Sequence, residues 1–205
     1  MEIHELYKKL NNRQISILGS ERFSKYAVLL PLLVKKDELH ILFEVRSHSL
    51  RRQPGEICFP GGRIDKEDRD EQHTAIRETS EELGLLECGL HDIAPLDYMV
   101  TPFGTIIYPF VGTISDPLQI SPNPAEVEEV FTVPISFLKR VKPEIYKIHY
   151  RLEPEQGFPF DKIIGGEKYN WQPRVMDEYF YFYEDKVIWG LTARILHHFL
   201  EVIGN

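Results

Sequence analysis

Residues 59–85 read FPGGRIDKEDRDEQHTAIRETSEELGL and hold the densest chemical signal in the chain. Glu78, Glu81 and Glu82 stand at i, i+3 and i+4, and a helix turning about 100° per residue gathers such positions within an arc of about 100°. Ala75, Ile76, Thr79 and Leu83 project beside that arc rather than opposite it, which puts the acidic stripe at the edge of a core. Like charges so placed repel by a few tenths of a kcal/mol per pair, and more as they lose water, unless a cation sits among them. Carboxylates converging beside the glycine turn Pro60-Gly61-Gly62 offer the hard oxygens that Mg²⁺ or Mn²⁺ requires near a phosphate. Arg77, one helical turn before Glu81, can orient the stripe or partly neutralise it. A lone ExxEE run is usually only a solvated acidic face; the nearby glycines and the arginine weigh toward a site.

The elements that must position these residues are legible in outline. Asp68 or Asp70 can cap a helix running from Glu71 to Leu85, and Gly84 can end it. Before it, GEICFPGG reads as a short strand that stops at Pro60, and the apolar runs Ala27–Val34 and Leu39–Val45 around KKDE read as a hairpin. After it, IAPLDYMV and TIIYPFVGTI joined by TPFG form a second hairpin, and VEEVFTVP a strand entering a short helix at ISFLKR. Residues 151–173 read as a loop excursion with short strands, EYFYFY as a strand, and residues 186–205 as a C-terminal helix with apolar spacing through Ile188, Leu191, Ile195, Leu196, Phe199 and Val202. With a short helix near residues 2–10 in an extension that ends near residue 20, the chain is expected to form one domain over 1–205, an α/β fold with helices on both faces of a mixed sheet.

Bulk properties narrow the partners. A length of 205 residues with 42% hydrophobic content supports one good core and little more. The net charge of -8 argues against a broad nucleic-acid footprint and is easier to reconcile with metal ions and small molecules. Cys58 and Cys88 fit neither a disulfide framework nor a zinc site and are expected to be small buried hydrophobes in a reducing compartment. The charged start MEIHELYKKLNNRQ has no apolar stretch and no window suits a membrane span, so a soluble cytoplasmic protein is expected. No GxSxG elbow, Walker loop or HExxH occurs, and Gly165-Gly166 lacks the pattern of a phosphate loop. The His197-His198 pair has no acidic or cysteine partner nearby in sequence and reads as structural.

The run GGRIDKEDRDEQHTAIRETSEELGL resembles the Nudix box: a glycine, a spaced acid, Arg-Glu, then Glu-Glu, Gly and an aliphatic. Counted from Gly62, the spaced acid is Asp68 instead of Glu and lies one residue farther from Arg77 than in the pattern, and Thr79 takes a usually apolar position. The resemblance implies a Nudix-fold α/β/α sandwich that hydrolyses a nucleoside diphosphate linked to another moiety. It assigns Glu78, Glu82 and Glu81 to divalent cations, Mg²⁺ or Mn²⁺, with a carbonyl of the Gly61-Gly62 turn, and gives catalytic roles to Glu81, Arg77 and a distant carboxylate. Glu126 is the choice for that last group, with Glu128 and Glu129 as rivals.

The upstream stretch LFEVRSHSLRRQPGEICFPGG resembles the second signature of the coenzyme A pyrophosphatase subgroup. Arg46, Ser47, Arg51, Gly55 and Phe59 through Gly62 fall in register, IWGLTARIL looks like the subgroup's last helix, and Leu42-Phe43-Glu44 replaces the usual Leu-Leu-Thr. The implied substrate is coenzyme A or a derivative, cut to 3′,5′-ADP and 4′-phosphopantetheine, by a protein that is a homodimer in this family. Arg46, Arg51 and Arg52 would meet phosphate oxygens, with Gly61 and Gly62 at the substrate. Phe59 reads as a packed strand residue rather than an adenine platform. The alternatives are a pyrophosphatase for NADH or ADP-ribose and a module that binds a nucleotide without cleaving it.

Overall fold

The first hairpin is set by its turn. In the computed structural model, which describes residues 2–204, β1 (Ser24–Lys35) returns as β2 (Glu38–Arg46) with Lys35 opposite Glu38. Lys36 and Asp37 between them have φ of 53° and 61°, the left-handed pair that lets a two-residue loop follow the strand twist. β1 also pairs with β4 (Gly61–Arg63), antiparallel, through Tyr26–Val28 and with β7 (Thr105–Ile114), parallel, from Ser24 to Leu32. β2 also pairs with β3 (Ile57–Cys58) and β8 (Val127–Pro134). The expected second hairpin forms as two pieces, β5 (Leu90–Pro95) and β6 (Met99–Thr101), both antiparallel to β7. The result is an eight-stranded mixed sheet.

Adjacent residues of the central strands point to opposite faces, as the pleat demands. Leu29, Leu33 and Leu42 pack against Ala75 and Leu83 of helix α2 (Glu71–Leu83), whereas Leu30, Ile41 and Phe43 pack with Leu138 of α3 (Ile135–Arg140) and Leu196 and Phe199 of α4 (Gly190–Val202). This is the α/β/α sandwich anticipated from the sequence. Helix α1 (Ile3–Asn11) forms where expected but buries none of its residues.

Three expectations are corrected. The helix expected over 186–205 begins only at Gly190; Lys186–Trp189 form strand β11, because the β-rich Val187-Ile188-Trp189 pairs with β10 (Arg174–Tyr183). β9 (Glu144–Tyr150), unforeseen, completes a second, three-stranded antiparallel sheet. Between β9 and β10, residues 151–173 hold no strand, only the short 3₁₀ turns Phe160–Lys162 and Gly166–Lys168. Cys88 is exposed and Cys58 partly so, since Cys88 sits in a 3₁₀ turn after α2 rather than in a packed strand. Among the described residues no helix is long and apolar enough to cross a membrane.

Candidate active site

Helix α2 is fixed at both ends by the residues its sequence supplies. Asp70 accepts the His73 N–H at 2.7 Å, and Gly84, with φ 64°, closes the last turn where any Cβ would strike the Ser121 carbonyl. The same junction aims the next carboxylate: Ser121 and Asn123 donate their N–H groups to the carbonyls of Leu83 and Glu82 at 2.9 and 2.8 Å, and Ser47 N–H binds the Glu126 carbonyl at 2.8 Å. Glu126 is thereby tied to the end of the helix and to the end of β2. Its carboxylate accepts the Asn123 amide at 3.2 Å, while Glu128 and Glu129 are exposed and Glu129 pairs with Lys186.

The glycine turn and the acidic helix interlock. The Gly61 N–H donates to Glu82 Oε2 at 2.7 Å, and a side chain at Gly61 would collide with the backbone of β1. A Cβ at Gly62 would fall on the carboxylate of Glu78. Gly61 is therefore required by the β1 backbone it abuts and Gly62 by the carboxylate it faces. Glu82 is 5% exposed. Burial, with the charge of Glu44 next, pushes its carboxyl far above the ordinary range; burial also raises the half-buried Glu78. Glu81, by contrast, turns outward with its side chain 56% exposed and is held by Arg77 at 3.3 Å.

Arg77 is the brace. Its Nη2 donates to Glu78 at 2.8 Å, and its Nε and Nη2 grip Asp68 at 2.9 and 3.1 Å. Asp68 also accepts from Thr74 Oγ1 at 2.8 Å and Asp65 N–H at 3.0 Å, and shares a hydrogen bond with His73. These donors, the Arg77 fork first, hold its carboxyl well below the usual range. Asp68 is thus a buried support, which the extra residue before Arg77 does not prevent; Asp70 rather than Asp68 caps the helix.

A cavity of about 700 Å³ opens beside this cluster. Gly61, Gly62, Glu82, Glu126, Arg46 and Arg52 line its charged end. Arg46 keeps a buried Nε without a partner. Arg51 is exposed and does not line the cavity. Phe59 lines it as well but is packed, 4% exposed and stacked on Phe43 at 4.9 Å. The far wall comes from Phe103 in the turn between β6 and β7, and from Tyr150, Met176, Trp189 and the pair Glu178 and Arg194, supplied by the second sheet and α4; the sequence singled out none of them. His197 bonds to Tyr181 at 2.9 Å and stacks on Tyr179, a structural use as expected.

Sequence reading also missed Glu44 as a member of the cluster. It is fully buried in β2, takes the Cys58 thiol on Oε1 at 3.2 Å, and leaves Oε2 without a partner. Burial pushes it above the carboxylate range. The available signal was an acid inside the apolar run LHILFEV.

The donor chemistry fits a hard divalent cation. The carboxylates of Glu78 and Glu82 meet at glycines that leave them room, and the buried oxygen of Glu44 is unsatisfied. Among the described residues no three acidic, histidine or cysteine side chains are already gathered around a single ion position.

A family model described as a NUDIX domain matches residues 24–155, more than half of the chain and all of the acidic helix. The chain belongs to the Nudix family. Its Nudix relatives include the peroxisomal coenzyme A diphosphatase NUDT7 of Mus musculus, 40% identical over 123 residues, which are 60% of this chain and 51% of the mouse protein. An uncharacterized Nudix hydrolase, NudL of Photorhabdus laumondii, is 33% identical over 177 residues, covering 86% of this chain and 83% of that one. The Nudix chain thus spans about half the length of the mouse relative and most of the bacterial one. A MutT/nudix family protein from Enterococcus faecalis shares the fold, with a TM-score of 0.53 at 15% identity over 99% of this chain and 70% of that one.

Proposed function

We propose that this Nudix protein hydrolyses the diphosphate of coenzyme A or a derivative, releasing 3′,5′-ADP and 4′-phosphopantetheine or its derivative, with Mg²⁺ or Mn²⁺ held by Glu78 and Glu82, assisted by Glu81. The observation that carries the reading is a cavity whose charged end joins the buried carboxylate of Glu82, and that of Glu126, to Arg46, with its unpartnered Nε, and to Arg52. When bound, the cation neutralises the diphosphate and favours ionisation of the attacking water. The Gly61-Gly62 turn keeps side chains away, so a diphosphate can approach the carboxylates closely. Arg46 and Arg52 bind anionic oxygens and discriminate for a substrate carrying an additional phosphate. Arg77 holds Glu78 and Glu81 in place from Asp68, and Glu126, fixed between α2 and β2, is the base that takes the proton from water. The apolar wall of Phe103, Tyr150 and Met176 suits the uncharged arm of the substrate. Support also comes from the relative whose name records coenzyme A diphosphatase activity.

The test is a chromatographic product assay of the purified protein with coenzyme A, dephospho-coenzyme A, NADH and ADP-ribose, each with Mg²⁺ or Mn²⁺. Metal-dependent release of 3′,5′-ADP from coenzyme A, faster than release of AMP from the other three, is expected. Turnover of NADH or ADP-ribose with coenzyme A untouched would transfer the site to another diphosphate, and tight binding without product would make it a nucleotide-binding module.

A further inference from the structure

We propose that Glu44 is itself a ligand of the divalent cation, donating Oε2 from strand β2 to an ion shared with the carboxylates of α2; the inference rests on the metal-dependent reading above. Three observations carry it. First, Glu44 stands in the middle of an apolar strand at 0% exposure, where an acid is rarely kept without a partner. Second, its placement is directed: Leu42, two residues earlier, packs in the core beneath α2, so Glu44 faces that same helix by strand alternation. There its charge bears on Glu82, as does that of Glu126. Third, its two oxygens are treated unequally. Oε1 receives the Cys58 thiol, whereas Oε2 receives nothing.

Protonation does not resolve the third point. A neutral Glu44 would carry either an unmatched O–H donor or an unmatched acceptor at the same buried atom, which is unfavourable in either case. Arg46, whose charge reaches Glu44, makes no hydrogen bond to Oε2. What satisfies a buried carboxylate oxygen next to further carboxylates is a small, hard cation, which also relieves their mutual repulsion.

The test measures Mn²⁺ binding to the full chain without substrate, by calorimetry and by the electron paramagnetic resonance of free Mn²⁺, in the wild type, Glu44→Gln, Glu44→Thr and Glu82→Gln. The expected result is a loss of affinity of about tenfold or more in both Glu44 variants. Their thermal unfolding without metal should be unchanged or shifted upward, since an unmatched carboxylate has been removed, while the rise in melting temperature on adding Mn²⁺ shrinks. Wild-type affinity in either folded Glu44 variant, with binding lost in Glu82→Gln, would overturn the role of Glu44 and leave the metal helix standing. Failure of both Glu44 variants to fold would overturn it too, by making Glu44 a structural requirement. Absence of saturable Mn²⁺ binding in the wild type would remove both readings together.

Discussion

The acid that precedes helix α2, Asp68, and the buried pair Glu44 and Glu82 are treated in opposite ways. Asp68 is surrounded by donors from Arg77, Thr74, His73 and the Asp65 backbone. Glu44 and Glu82 share one thiol and one backbone N–H, and burial drives both carboxyls upward. Full satisfaction makes the first acid part of the scaffold, since nothing is left for a ligand to supply. In the proposed reading, the deficit of the second group is what a cation makes good. On that reading, Arg77 and Glu82 let one short helix serve as both a rigid support and a binding surface.

The sharpest way to break that contrast is Glu82→Gln. The amide oxygen can still accept the Gly61 N–H, so the fold should persist while hydrolysis falls by more than about a hundredfold, beyond what loss of a group behind a metal ligand typically costs. A variant retaining wild-type turnover in the product assay would show that the deficit has no catalytic use.

On the satisfied side, Asp68→Asn should cost about 3 kcal/mol of unfolding free energy at neutral pH, because it strips the Arg77 fork of its charged partner. The pH dependence follows from the sign of the shift. Asp68 is lowered in the folded state, so its contribution is fully present above the unfolded value of about 3.9 and is lost as pH falls through and below it. Urea melts of both proteins should therefore differ at pH 7 and draw together toward pH 2–3. A gap that stays constant across that range would count against the ion pair.

Smaller effects separate the arginines. Arg46→Ala should raise KM for coenzyme A by about tenfold or more, the loss of a charged hydrogen bond of about 1.5–3 kcal/mol, with kcat less affected. Arg51→Ala, at an exposed residue off the cavity, should stay within about twofold. Steady-state kinetics of the two variants checks the order, and an Arg51 effect equal to that of Arg46 would place the phosphate differently.

The charged half of the cavity was readable because its rules are local. Helix stop and start signals, a glycine pair and the i, i+3, i+4 acids all lie within 59–85, and the turn of the first hairpin needs only two residues with positive φ. The other half was not. β9 buries almost nothing, so its sequence carries no alternating core signal. Ile188 and Leu191 satisfy helical spacing equally well on either side of the true boundary, and only Gly190, with φ 65°, marks where strand gives way to helix. Glu44 was visible as an oddity within an apolar strand, yet its significance depends on Cys58, Glu82 and Glu126, brought to it from three other segments.

The register that joins Tyr150 to Arg174 has an evolutionary consequence. It clamps the two ends of the 151–173 excursion on the side of the cavity away from the acidic helix, so that segment can lengthen, shorten or change composition without moving a single reacting group. None of its residues lines the cavity, so a laboratory library confined to them would vary the length and composition of the loop at little risk to the site.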